Sequence, residues 1–475
     1  MIKIMRRNRL SHSHATASPM SLDRLAYLGM AALLLTGFLL AGGGRDDLLS
    51  LVIWRPLSMI FLALAICIYW REAWQNGQAL VLFGLVVVLL PALHLVPLPP
   101  AIWSSLPGRE FIAAIYRDAG MTLPWQPLSV AQARTWNALF SLGAPLAMLF
   151  LVLSTDMKWQ RRIVLILLGI GFISGIIGTL QAIGPAQGPL YFYRITNNGY
   201  SVGFFANRNH QAAFLASMYP LLAANLSFFK GKPEQLLFHR SMAIIGGLLL
   251  LVLILMTGSR GGVALAVLGV VAAWWVYRAP VAQVRSAARA TETRTRIIGF
   301  GLALLLMVFA AIVAVRTPAV RRLMEGDPSS ELRVSNLSTV MEAVNQFFPF
   351  GSGLGTFVEA FQLFERNDSI SATYFNHAHN DFVEILLTAG VPGVAMILWA
   401  AILGFMVLRV LVKSRNVKSN SPEFQSQVLG RAGISILAML ALYSAADYPL
   451  RVPSLMLLAV IAAGWCSNAC RVAQR

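Results

Sequence analysis

The sequence predicts an all-α integral membrane protein of about 12 transmembrane helices, with a large loop on the non-cytoplasmic side that contains an amphipathic helix. Three observations carry that expectation. The 475 residues are 57% hydrophobic and 12% charged, with a mean hydropathy of +0.66, whereas a soluble domain carries about 25% charged residues. Apolar runs long enough to cross some 30 Å of hydrocarbon recur along the chain. Finally, the formal net charge of +18 sorts to one side once those runs are threaded through a membrane.

The runs fall at about 25 to 41, 48 to 70, 78 to 96, 137 to 154, 162 to 183, 210 to 229, 239 to 257, 261 to 277, 297 to 315, 382 to 408, 431 to 446 and 453 to 470. The first has no small-residue cleavage site and is kept as a span rather than a removable signal. The second contains Arg55 and Pro56 and is the least regular. Between the seventh and eighth stands only Thr257-Gly-Ser-Arg-Gly-Gly262. Placing both termini in the cytoplasm puts the entire +18 on the inside and leaves the outside balanced, as the positive-inside rule requires. The basicity therefore points to membrane lipids as partners and implies no nucleic acid. Residues 1 to 24 form a basic cytoplasmic tail, and 25 to 475 form the membrane domain. His12 and His14 belong to that solvated tail rather than to a metal site. Cys67, Cys466 and Cys470 all lie in apolar runs, with no paired spacing in an outer loop.

Cytoplasmic connections are short and basic, apart from the linkers 278 to 296 and 413 to 427. The outer side carries the polar mass, in loops 97 to 136, 184 to 209 and 316 to 381. Within the last, Asp327-Pro328 reads as an N-cap followed by proline in the first turn. Apolar residues then recur at Val334, Leu337, Val340, Met341, Val344, Phe347 and Phe348, the spacing of an amphipathic helix that lies on a membrane or roofs a cavity. It stops before Pro349. Gly351-Ser-Gly-Leu-Gly355 follows, either a helix-stop loop or a stretch of bare amides able to approach a ligand.

The loop closes on Phe375-Asn-His-Ala-His-Asn-Asp381, where His377, His379, Asn380, Asp381 and Glu384 stand at the entrance of an apolar run. Asn380 or Asp381 is the N-cap of that helix. Gly390, Pro392 and Gly393 predict a kink two to three turns in. His377 and His379 point the same way if their segment is extended and diverge if it turns. Arg260 sits in so short a loop that its charge lies at membrane depth, at a cost of about 2.5 kcal/mol unless paired or in water. Arg333 opens the amphipathic helix and reads equally well as a solvated surface charge. Asn207-Arg-Asn-His210, Asp447, Tyr448 and Arg451 lie on the same side. Paired arginines suit a diphosphate, and a histidine beside them suits proton transfer from a hydroxyl.

Thr257-Gly-Ser-Arg-Gly-Gly262, Arg333 with Pro349 and Gly351-Ser-Gly-Leu-Gly355, and His379-Asn380 with nine residues to Gly390 and Gly393 together resemble the O-antigen ligase family, or Wzy C-terminal domain superfamily. The likeness spans about 200 to 455, and Pro97-Leu-Pro-Pro100 with Trp103 also resembles the family. Leu337 departs from it, since many members carry an aromatic residue there. The resemblance implies a GT-C type glycosyltransferase of the bacterial inner membrane. Such an enzyme moves a glycan from undecaprenyl-pyrophosphate to a lipid or glycan hydroxyl acceptor at the periplasmic face, without metal or other cofactor. It further implies that Arg260 and Arg333 hold the pyrophosphate and that His379 orients or deprotonates the acceptor, with Asn380, His377, His210 and Asp447 as supporting substrate contacts. A polymerase or protein O-oligosaccharyltransferase of the same superfamily differs only in acceptor. An anionic-solute transporter is the alternative from another class, disfavoured by the lack of an internal repeat.

Overall fold

A computed structural model describes residues 21–45, 48–279, 328–367, 374–413 and 421–473. The expected ninth span, 297 to 315, and the first part of loop 316 to 381 lie outside the described residues. Helix α1 (Leu22–Leu40) starts at Ser21, whose hydroxyl accepts from Arg24 N–H, one of the backbone donors that a helix start leaves unpaired.

Helix α2 (Leu51–His94) has 44 residues and would extend about 66 Å if straight, twice a bilayer core. It is not straight. Gly77, at φ −160° and ψ 51°, interrupts it, and contacts on its two sides run oppositely along a later helix, Gly143–Leu153. Ser58 and Met59 meet Gly143, Trp70 meets Phe150 at 5.8 Å, and Asn76 Nδ2 donates to Leu153 O at 2.8 Å. Past the break, Gly84 lies against Leu149 and Leu146. The chain therefore doubles back at Gly77, and the runs at 48 to 70 and 78 to 96 are the limbs of one helical hairpin. A side chain at 77 would strike Leu153 within 2.8 Å.

Two short helices, α3 (Pro100–Trp103) and α4 (Glu110–Asp118), follow, with a strand pair, β1 (Pro97–Leu98) antiparallel to β2 (Gln126–Pro127). Helices α5 (Gln132–Ser141) and α6 (Gly143–Leu153) make one nearly continuous rod, and α7 spans Met157–Ile183. The run at 210 to 229 is not one helix. It divides at Ser217 into α8 (Arg208–Ala216) and α9 (Met218–Ser227), almost wholly buried among α7, α10 (Pro233–Met256), α11 (Arg260–Val276) and α15 (Pro422–Tyr443). Later come α12 (Pro328–Phe347), α13 (Phe357–Gln362), α14 (Asp381–Lys413) and α16 (Pro453–Ala473). Among the described residues eight helices are long and apolar enough to cross a membrane, counting α2 once and α5 with α6. The all-α membrane class is thus borne out, while the number of crossings stays an expectation. Small residues let the helix backbones approach closely, the packing that lipid surroundings favour: Gly433 faces Ala462 O and Gly430 faces Ala469 between α15 and α16.

The helices present two polar ends. At one, Lys158 pairs with Asp23 at 3.5 Å and Arg471 bonds Asn76. At the other, here called the site end, a small second core joins Val340, Ala343, Val344 and Phe347 of α12 to Phe357, Ala360 and Phe361 of α13 and Leu387 of α14. The amphipathic reading of 328 to 348 holds in its bounds, while of its described stripe Val340, Val344 and Phe347 face inward and Leu337, Met341 and Phe348 face outward.

The glycine-rich loop after α12 is a docking element rather than a ligand cradle. Gly351 N–H donates to Phe347 O, Ser352 N–H to Leu387 O and Gly353 N–H to Thr388 O, and Leu354 N–H to His94 Nδ1. The acceptors on α14 are available because that helix breaks at Gly390, φ 56°, two residues before Pro392. The kink expected there is present, and Val391 N–H bonds Pro349 O across it. Arg109, 2% exposed, ties the 97–131 segment to the same loop by donating to Pro107 O, Leu128 O and Gly351 O at 2.7, 2.5 and 2.8 Å. Burial pushes its guanidinium down to about 10, which leaves it charged at neutral pH.

Candidate active site at the head of helix α14

The site is assembled where the chain enters α14. Asn380 is the cap: its Oδ1 accepts from Phe382 N–H at 3.0 Å and Val383 N–H at 3.2 Å. The residue before it, His379, has φ 52°, a left-handed conformation that histidine tolerates better than bulky residues but still rarely adopts. That turn resolves the question of the two rings, which diverge around the phenol of Tyr448. His377 lies 4.3 Å and His379 5.0 Å from its centroid, and His210 approaches from α8 at 5.0 Å.

Asp447, 1% exposed, joins two of these imidazoles. Its Oδ1 accepts from Tyr448 N–H at 2.9 Å and stands 3.4 Å from His379 Nδ1 and 3.8 Å from His210 Nε2. Its Oδ2 accepts from Asn209 Nδ2 at 2.7 Å. The His379 contact is longer than a good hydrogen bond, as catalytic contacts often are before substrate tightens them. Phe375 packs against His379 at 5.7 Å and roots the loop on Phe357 and Phe361.

His377 is used differently. Its Nδ1 lies 3.0 Å from Glu384 Oε1 and its Nε2 3.2 Å from Gly44 O, so both nitrogens face acceptors. Glu384 and Asp381 are buried carboxylates at the head of an apolar helix, an arrangement that is costly without a counter-charge. Arg451, in the 3-10 turn Pro449–Arg451, supplies it: Nε is 2.9 Å from Asp381 and Nη1 3.1 Å from Glu384. Burial alone would lower the pKa of Arg451, but the adjacent Glu384 and Asp381 more than offset it and raise it above the ordinary arginine value.

Arg260 opens α11 and is exposed, while the preceding turn is buried and Ser259 Oγ caps it by accepting from Gly262 N–H at 3.0 Å. Gly261 packs on the ring of Tyr443, whose carbonyl accepts from Asp447 N–H. Arg260 therefore emerges at the site end, beside the strand of contacts that leads to Asp447. Arg333 lies in the second turn of α12, and its side chain lies outside the described residues.

Of the residues singled out in the sequence, the structure brings His210, His377, His379, Asn380 and Asp447 into one cluster. Tyr448, Asn209, Arg451 and Glu384 were visible as polar residues but carried no role, and Asp381 carried only that of an alternative N-cap. The available signal was two carboxylates three apart at the head of an apolar helix, which need a cation beside them. Nothing local signalled that it is Arg451, 70 positions from Asp381.

Fold and site define a polytopic α-helical membrane protein with a histidine–carboxylate–arginine cluster at one end of its helices. Residues 245–398 match the model of the Wzy_C family, described as O-antigen ligase, and the resemblance read from the sequence is borne out over that segment. It includes Arg260, Arg333, His377, His379 and Asn380, whereas Asn209, His210, Asp447 and Arg451 join the cluster from outside it. No curated protein matches the chain.

Proposed function

We propose that the protein transfers a glycan from an undecaprenyl-pyrophosphate carrier to a hydroxyl acceptor of the lipid A–core type, at the periplasmic face of the inner membrane. His379 is the acceptor-side base. The observation that carries this reading is its placement: a left-handed residue whose Nδ1 faces the buried carboxylate of Asp447 at 3.4 Å. A base oriented by a third group is the arrangement that activates a hydroxyl. Asp447 on the Nδ1 side assigns the proton transfer to Nε2 and supplies a counter-charge to the imidazolium that forms. His377 is not the base, because both its nitrogens face acceptors, Glu384 and Gly44 O, and neither presents a lone pair to a substrate hydroxyl.

In the step itself, the acceptor oxygen bonds to the anomeric carbon as the bond to the pyrophosphate oxygen breaks. The hydroxyl proton passes to His379, and undecaprenyl pyrophosphate leaves with its charge met by Arg260 and Arg333. Arginine, not a divalent ion, carries the charge compensation in this scheme. Asn380, His377 and His210 hold the base and the acceptor side in place.

His379→Ala in nanodiscs tests it. The donor is lipid-linked glycan extracted from a strain deleted for this gene, the acceptor lipid A–core from the same strain. Transfer should fall by roughly 10² to 10⁴ while undecaprenyl pyrophosphate still binds. Retained transfer would remove His379 from the mechanism, and loss of binding together with transfer would make it a structural cap.

A further inference from the structure

We propose that Glu384 is a positioning residue for His379, held in place by Arg451, and that it acts through the peptide and ring that precede the histidine. The proposal rests on the reading of His379 as the base. Glu384 lies one turn inside α14, 1% exposed, and its carboxylate reaches back over the loop. Oε2 accepts from Ala378 N–H at 3.0 Å, the peptide next to His379. Oε1 lies 3.0 Å from His377 Nδ1 and 3.1 Å from Arg451 Nη1.

Each of these groups is fixed in turn. His377 Nε2 reaches Gly44 O at 3.2 Å, so the loop is pinned to the α1–α2 connection, where a side chain at Gly44 would press on Tyr448. Arg451 Nε lies 2.9 Å from Asp381 Oδ1. Asp381 accepts from Ser444 Oγ at 2.9 Å through Oδ2 and donates its N–H to Ser444 O at 2.8 Å. Both sides of the His379 turn are thereby tied down: the 377–378 side to α14 through Glu384, the 380–381 side to the first turn of α14 through Asn380 and to the end of α15 through Asp381. A non-glycine residue keeps a left-handed backbone only where its surroundings over-determine it, and Glu384 is the group that determines the N-terminal side. Its charge matters as well as its shape, since a carboxylate alone can accept from Ala378, His377 and Arg451 together.

The test uses Glu384→Gln and Glu384→Asp in the full-length protein in nanodiscs, with the donor and acceptor preparations above. Three quantities are read: kcat and donor KM for transfer, and hydrogen exchange of the 375–387 peptide. Glu384→Gln should insert normally, keep donor KM within about twofold, lose roughly 10² in kcat, the scale of a small misplacement of a reacting group, and exchange faster at 377–383. Glu384→Asp keeps the charge but not the reach, and should recover part of kcat. Where Glu384→Gln fails to accumulate, Arg451→Lys carries the test, because it keeps the charge and loses the fork that spans both acids; a kcat loss at constant KM is again expected. A kcat within threefold of wild type, or equal losses in kcat, donor affinity and thermal stability, would overturn the proposal. Full activity of His379→Ala would sink the base assignment instead, and the exchange data would still report separately whether Glu384 holds the loop.

Discussion

Replacing Asp447 by asparagine removes a charge with little change of shape, and the structure sets the size of the effect. Two unit charges 3.4 Å apart, the separation of Asp447 Oδ1 and His379 Nδ1, interact by about 5 kcal/mol at an effective dielectric of 20. The imidazolium exists only after proton abstraction, so this attraction favours the transition state over the resting enzyme. The contact is long and the imidazole is 16% exposed, and water recovers part of the loss. About half or somewhat more, ~2.7 to 4 kcal/mol, corresponds to roughly 10² to 10³ in kcat. The fold should tolerate the change: Oδ1 can still accept from Tyr448 N–H, and a flip of the Asn209 amide presents its oxygen to the new Nδ2. Transfer kinetics at saturating donor, alongside undecaprenyl-pyrophosphate binding and thermal stability, measure it. Asp447→Asn within threefold of wild type, in a background where His379→Ala is dead, would refute the reasoning and leave Asp447 as a backbone cap for Tyr448.

Other outcomes follow from the same geometry. Alkaline phosphatase fused after Glu359 should be active and one fused after Asn420 silent; the reverse pattern would overturn the proposed topology. Arg260→Lys keeps a cation at an exposed helix start, so the protein should accumulate normally and change stability by less than about 0.5 kcal/mol, yet lose most transfer with the bidentate geometry. Full activity there would return Arg260 to an anchoring role. Gly390→Ala drives a methyl into Pro349 O at a φ of 56°; left-handed strain and overpacking together cost roughly 2 to 5 kcal/mol. Size-exclusion of detergent-extracted protein should show loss of the monodisperse peak, and an unchanged profile would mean that the α14 break is not needed.

The membrane class, the helical runs, the grouping of the polar loops and the α12 helix with its stop before Pro349 were all legible along the chain. Each depends on periodicity, run length or a capping pair, which are local quantities. The same holds for the Asn380 cap and the Gly390 kink, and the family likeness came from short motifs that lie within single turns. What folding decided was which polar groups meet. The runs at 48 to 70 and 78 to 96 were legible as two crossings, but not that Gly77 alone makes the reversal between them, because a lone glycine among polar residues reads as a helix interior or as a turn. The amides of Gly351–Gly355 were open to a ligand until α14 broke beside them and supplied Leu387 O and Thr388 O. The resemblance singled out His379 over His377, two residues apart in one polar loop, but gave no physical ground for it. That ground is the left-handed turn, which sends one ring to Glu384 and Gly44 and the other to Asp447. Charges buried near hydrocarbon must find partners, but the partner of Asp381 and Glu384 is Arg451 and that of His379 is Asp447, both contributed by the turn between the last two helices. Only packing of those helices against α14, with α8 meeting the turn between them, brings these groups together.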